Sequence, residues 1–281
     1  MQMRKKMKVA TMALSIGLLV SPHLAINAKE DALQKTQKMT MSVKNDVGWG
    51  IPRKKEGEIQ PYPGEAYHNL ITENDAYYIG DPEDDAIYLT FDCGYENGNL
   101  PLILDALLAE GVPALFFVTG HFMEEEPELL RRMATEGHLV GNHTYDHPDL
   151  TTISKERFMD ELARGEEKYY EITGEEMSKF LRPPEGRFNQ EVLDWASEAG
   201  YYTVLWSLAY VDLYVDRQQG PAYALDQITD RLHPGAILLL HSTSSDNAQA
   251  MDELLPILKE EGYQFRSLHY LLTSDLPEPI E

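Results

Sequence analysis

The chain is short of cysteine, of cations and of long apolar runs, and each shortage excludes something. It has one cysteine, Cys93, so no intrachain disulfide framework can form. Lys and Arg number 24 against 47 Asp and Glu, a net charge of -23. That balance speaks against a nucleic-acid partner, because phosphate binding rests on Lys and Arg neutralising backbone charge. It suits a neutral or amine-bearing polymer. The apolar run from Val9 to Val20 falls short of the roughly 20 residues a spanning helix needs, so no stable membrane span is expected. There is no Gly-x-Ser-x-Gly elbow, which disfavours a nucleophilic serine hydrolase, and there is no internal repeat.

What is there is enough for one large catalytic domain: 281 residues, 43% of them apolar. Arg4, Lys5, Lys6 and Lys8 precede the Val9–Val20 run, and Ala25 and Ala28 follow it. Basic, then apolar, then small is the order of a secretory signal peptide over residues 1–28, with an uncleaved anchor as the alternative. Residues 29–84 read as a lead-in: polar at first, then a Pro/aromatic strap with Trp49, Pro52, Pro61, Tyr62 and Pro63.

From residue 85 to 272, strands and helices alternate, leaving 273–281 as a tail. Ile87–Phe91, Ala114–Val118, His138–Gly141, Phe180–Arg182, Tyr202–Trp206, Ala236–Leu240 and a segment near Phe265 read as strands. Leu100–Glu110, Glu126–Glu136, Ser154–Ile172, a segment capped by Asn189, Pro221–Leu232 and a last helix capped by Asp246 lie between them. The alternation implies an α/β fold with a parallel sheet under helices. The length suits a small or incomplete barrel, with an open doubly wound sheet as the alternative.

Charged or imidazole groups fall just after these apolar strands: Asp92, then His143 and His147, then Arg182, Asp212 and His241. In a parallel sheet such ends share one rim, where α/β active sites lie. Taken singly, each is equally a solvated loop residue; five strand ends with compatible chemistry point to a site. His143 and His147 are spaced so that one helical turn puts both rings on one face, suited to chelating a divalent cation. Asp92 beside a cation would be ionised and able to take a proton from water. His241 would serve as the opposing acid, with Arg182 holding Asp92 and Asp212 holding His241 in one tautomer. These are the parts for metal-assisted hydrolysis of an unactivated amide or ester.

Five segments appear in order: Thr90-Phe-Asp-Cys-Gly-Tyr-Glu96, His143-Thr-Tyr-Asp-His147, Arg182-Pro-Pro-Glu-Gly186, Trp206-Ser-Leu-Ala-Tyr-Val-Asp212 and Leu239-Leu-His241. Together they resemble the motifs of the polysaccharide deacetylase (NodB-homology, carbohydrate esterase family 4) group. They look most like its branch that deacetylates N-acetylmuramic acid of peptidoglycan on the way to the muramic δ-lactam of spore cortex. The resemblance implies a distorted (β/α)7 barrel and a secreted or wall-associated hydrolase acting on a peptidoglycan glycan strand. It also implies a divalent metal ion, zinc, held by His143 and His147. By the same resemblance Asp92 is the base, Arg182 its orienting partner, His241 the acid, Asp212 the partner of the acid, and the backbone N–H of Glu185 part of an oxyanion hole. Cys93 stands where the family usually has a metal-binding Asp and this branch an Asn, which makes it a candidate third ligand. Leu213 stands where many members have Trp. The alternatives are an N-acetylglucosamine or chitin deacetylase, or a non-catalytic wall-binding module.

Overall fold

The computed structural model describes residues 47–273. The signal-peptide segment 1–28, the lead-in up to residue 46 and the tail after Thr273 lie outside the described residues. Along the chain run β1 (Val47–Gly48), α1 (Glu65–Thr72), β2 (Ala76–Tyr77), β3 (Ala86–Cys93), α2 (Leu100–Glu110), β4 (Ala114–Val118), α3 (Gly120–Glu125), α4 (Pro127–Thr135) and β5 (Leu139–Asn142). Then come α5 (Lys155–Thr173), β6 (Phe180–Leu181), β7 (Arg187–Phe188), α6 (Gln190–Glu198), β8 (Tyr202–Val204), β9 (Leu208–Ala209), α7 (Pro221–Thr229), β10 (Ile237–His241), α8 (Ser245–Glu260), β11 (Gln264–Phe265) and α9 (His269–Thr273).

The main sheet has the strand order β2-β8-β6-β5-β4-β3-β10-β9, with β11 pairing to β3. Its ladders are parallel. The sheet curls into a half-barrel with helices around it, the fold expected from the alternation and the resemblance. One layer of core lies between strands and outer helices, built from Ile87, Leu89 and Phe91 of β3 against Ile103, Leu104, Leu254 and Leu258. A second lies within the curl and includes Ala86, Tyr88, Leu115, Phe117, Phe180 and Val204. Successive residues of a strand point to opposite faces, so β3 feeds both layers.

Local sequence accounts for most boundaries. The Ser154 side chain accepts from Arg157 N–H to start α5, and Asn189 does the same for Val192 at α6. Elsewhere the structure adds to or corrects the sequence reading. The helix read over Glu126–Glu136 is present as α4 (Pro127–Thr135), but a short α3 that the sequence reading did not include precedes it, and the two stay separate because Pro127 disfavours helical geometry at Glu126 (φ -125°, ψ 49°). Ser244, not Asp246, caps α8. Asp246 instead accepts the N–H groups of Gln219 and Gly220, at 2.6 and 2.9 Å.

The lead-in is tied across the domain. β1 pairs antiparallel with β7, and Trp49 Nε1 donates to Trp206 O at 2.9 Å. Gln60 Nε2 bridges Gly80 O and Pro234 O. β2, also from the lead-in, joins the sheet beside β8, and α1 lies where no helix is expected from the sequence. No helix among the described residues is long and apolar enough to cross a membrane.

Candidate active site

Two adjacent strands bring the first pair together. In the register of β3 with β10, Asp92 and His241 are direct partners at the C-terminal ends of both strands. β6 pairs with β5, and Arg182 N–H donates to Asn142 O just beyond the ladder. That places Arg182 beside the start of the His143–His147 loop.

Asp92 faces inward, its Oδ1 accepting from Arg182 Nη1 at 2.9 Å and its Oδ2 lying 3.6 Å from His143 Nε2. Burial works to raise its pKa, but the Arg182 guanidinium and the His143 and His241 rings outweigh it and hold the carboxyl below its usual range. Arg182 is itself 0% exposed. Its Nε and Nη2 donate to Val204 O and Leu205 O, and its guanidinium lies 4.2 Å from the Phe117 ring centre. A buried cation so fixed can present Asp92 in only one orientation.

His241 is held from both ends of one carboxyl group. Its Nδ1–H donates to Asp212 Oδ1 at 2.7 Å, and its main-chain N–H donates to Asp212 Oδ2 at 2.8 Å. Asn247 Nδ2 also donates to Asp212 Oδ2, at 2.7 Å. Burial pulls the His241 pKa down, yet the hydrogen bond and charge of Asp212, with the charge of Asp92, leave it above the usual imidazole value. The ring therefore keeps a proton at neutral pH more readily than a free histidine.

His143 and His147 come together, with ring centres 4.8 Å apart, but not on a helical turn. The segment is a loop in which Thr144 and His147 take left-handed φ values of 64° and 55°. The carbonyl of Arg182, 2.8 Å from His143 Nδ1, can only accept, so Nδ1 carries the proton and Nε2 keeps its lone pair. Burial pushes the His143 pKa down to about 4, so the ring is neutral. A neutral, oriented imidazole next to a second one fits a divalent cation as a donor pair.

Cys93 does not join them. It is 0% exposed and lies on the outward face of β3 with Ile87, Leu89 and Phe91, one residue out of phase with Asp92. Burial pushes its thiol pKa up, a Ser242 hydrogen bond only partly opposing this, so the group is a thiol rather than a thiolate ligand. Among the described residues no cluster of three His, Cys, Asp or Glu side chains is placed to hold a metal ion.

A cleft of about 610 Å³ opens over these groups, lined by Asp92, His143, His147 and His241. Arg182 and Asp212 stand behind it and are buried. Glu185 adopts a left-handed φ of 55° in the turn after Arg182 and is not among the lining residues. Leu213 does line the cleft. Sequence reading missed Tyr95, His121, Glu124 and Tyr145, which also line it. For His121 the signal was present: it follows β4 at the same rim as the other strand ends.

The sequence model for polysaccharide deacetylase matches residues 79–204. The chain is 45% identical over 226 residues to the peptidoglycan-N-acetylmuramic acid deacetylase PdaA of Bacillus subtilis, covering 80% of this chain and 86% of that protein. It is 35% identical over 205 residues to a peptidoglycan-N-acetylglucosamine deacetylase of Bacillus cereus, covering 70% of this chain and 72% of that one. The solved structure of Bacillus subtilis PdaA, described as a family 4 carbohydrate esterase, superposes with a TM-score of 0.79 at 44% identity, covering 82% of this chain and 98% of that one. With the five motifs assembled on one rim and relatives this similar, the chain belongs to the polysaccharide deacetylase family.

Proposed function

We propose that this protein is an exported enzyme that removes the N-acetyl group from N-acetylmuramic acid residues of peptidoglycan, on the way to the muramic δ-lactam of spore cortex. The carrying observation is the pairing of Asp92 and His241 across β3 and β10, each fixed by its own partner, Arg182 and Asp212. A module that only bound glycan would have no use for an oriented base facing an oriented acid. The choice of sugar draws on the 45% identity to a relative named for N-acetylmuramic acid. Export draws on the basic-apolar-small order of residues 1–28.

In this mechanism Asp92 takes a proton from water as the water oxygen attacks the acetyl carbonyl carbon. Arg182 keeps Asp92 ionised and aimed. His241 then gives its proton to the amide nitrogen as the C–N bond breaks, releasing acetate and a free amine. Asp212 holds Nδ1–H, so the transferable proton sits on Nε2 of the ring. The backbone N–H of Glu185 would steady the oxyanion. His143 and His147 would hold a divalent cation, zinc in this reading, which when bound supplies Lewis-acid polarisation.

The test is mass spectrometry of muropeptides after incubation of peptidoglycan with the protein. Loss of acetyl mass on muramic acid, or a further loss of water on lactam closure, is the expected result. A free amine on glucosamine instead would overturn the sugar assignment, and unchanged muropeptides would overturn the catalytic reading.

A further inference from the structure

The loop that carries His143 and His147 is anchored to α5 by a buried acid that takes no part in the reaction. Glu161 is 0% exposed. Its Oε2 accepts the main-chain N–H of Asp146, the residue just before His147, at 2.7 Å. Its Oε1 pairs with Arg157 Nη2 at 2.5 Å. The same Arg157 also pairs with the Asp146 carboxyl group, and Arg164 Nη1 reaches that group at 2.6 Å. The guanidinium of Arg164 lies 3.9 Å from the centre of the Tyr145 ring. Two arginines and one glutamate of α5 thus grip Tyr145 and Asp146, two of the three residues between the histidines.

The grip has a structural reason. Residues with positive φ cost conformational energy unless their surroundings hold them, and both Thr144 and His147 are in that region. The start of the loop is held elsewhere: Asn142 Oδ1 accepts from Thr144 N–H at 2.8 Å, and Asn142 Nδ2 donates to Leu162 O at 3.1 Å. α5 comes close enough that a Cβ on Gly165 would lie 2.9 Å from Asn142 Nδ2. Toward the His147 end, Gly120 N–H, just after β4, donates to Tyr145 O at 2.9 Å, and Glu161 adds the tie at Asp146 N–H, next to His147. A carboxylate is suited to it, since a charged acceptor on a buried N–H makes a stronger bond than a neutral one.

We propose that Glu161, braced by Arg157, is a positioning residue that sets how tightly the His143–His147 pair holds a divalent cation. The proposal rests on the reading of those histidines as metal ligands. Without the tie, His147 would sample other backbone states, and ordering it would have to be met from the binding free energy of the ion.

The test uses the full chain stripped of metal, with zinc affinity read by competition against a chromophoric chelator and cobalt(II) binding read by visible absorption. Glu161→Gln keeps the shape and an acceptor for Asp146 N–H but loses the pairing with Arg157. It is expected to weaken zinc about tenfold, in the range seen when a ligand's supporting partner is lost, and to alter the cobalt spectrum. Its metal-free melting temperature should stay close to that of the unmodified protein. Glu161→Leu should weaken zinc further. His147→Ala should lose most of the binding. Unchanged zinc affinity in Glu161→Gln and Glu161→Leu, with loss in His147→Ala, would overturn the positioning role alone. Unchanged affinity in His147→Ala would overturn the ligand reading and this proposal with it.

Discussion

Asp212 grips His241 twice, taking the ring Nδ1–H on Oδ1 at 2.7 Å and the main-chain N–H on Oδ2 at 2.8 Å. The carboxyl group therefore sets both the tautomer and the rotamer of the ring. It also raises the pKa of His241 against the pull of burial. A general acid must be protonated to work, so the active fraction is lost as pH rises through that raised value. Asp212→Asn removes the charge and lowers the His241 pKa, so the alkaline limb of kcat/KM should move to lower pH. The rate at neutral pH should fall about 10²-fold or more. A pH–rate profile with an unmoved alkaline limb would remove this role from Asp212.

Asp92→Asn should abolish turnover with the fold retained, a loss of about 10²–10⁴ in rate from base catalysis alone. The readout is deacetylation by a protein whose circular dichroism matches the unmodified chain. Near-normal activity in that variant would take Asp92 out of the role.

Arg182 is wholly buried and serves Asp92, Val204 O and Leu205 O at once. Arg182→Ala leaves an unpaired buried carboxyl group and two carbonyls without their donor. Removing one partner of a buried ion pair costs about 3–5 kcal/mol, so urea unfolding should show a loss of that order together with loss of activity. Stability within about 1 kcal/mol of the unmodified protein would contradict the pairing.

Cys93→Ala should bind zinc and turn over as the unmodified protein does, because the thiol faces the core rather than the histidines. The native thiol should also resist modification by soluble thiol reagents until the protein unfolds, since burial both shields it and raises its pKa. A large fall in zinc affinity in Cys93→Ala would restore the cysteine as a ligand.

Acid should destabilise the metal-free protein. Burial lowers the pKa values of His138, His143 and His233 below the ordinary 6.5. Their contribution is intact above 6.5. As pH falls below it, the unfolded chain takes up protons that the folded chain refuses, and stability drops until each folded value is reached, about 4 for His143. The raised pKa of His241 acts the other way, its contribution being full below 6.5 and lost as pH rises through the folded value. With three rings against one, the melting temperature should fall between about pH 7 and about pH 5. A constant melting temperature over that interval would contradict the burial of these rings as neutral groups.

What the sequence determined by itself was the alternation of the main strands and helices and the rim on which the candidate site residues gather. Apolar runs such as Ile237–Leu240 and helical spacing in Leu100–Glu110 are local signals, and a parallel sheet sends every strand end to one side. Asp92, His143, His147, Arg182, Asp212 and His241 were therefore legible before any geometry was known. Tertiary structure decided the rest. Which residues of β3 face the cleft follows from the phase of the strand against its neighbours, and that phase put Asp92 inside and Cys93 in the core. The spacing of His143 and His147 suits a helical turn, yet Asn142 and α5 impose a loop with left-handed residues, a cost met by contacts far along the chain. Tyr95 and Tyr145 came to the site through loops above the strands, and His121 and Glu124 through the short helix α3 that follows β4. Glu161 came to it by the packing of α5, since a glutamate in an amphipathic helix looks solvated until the neighbour that buries it is known.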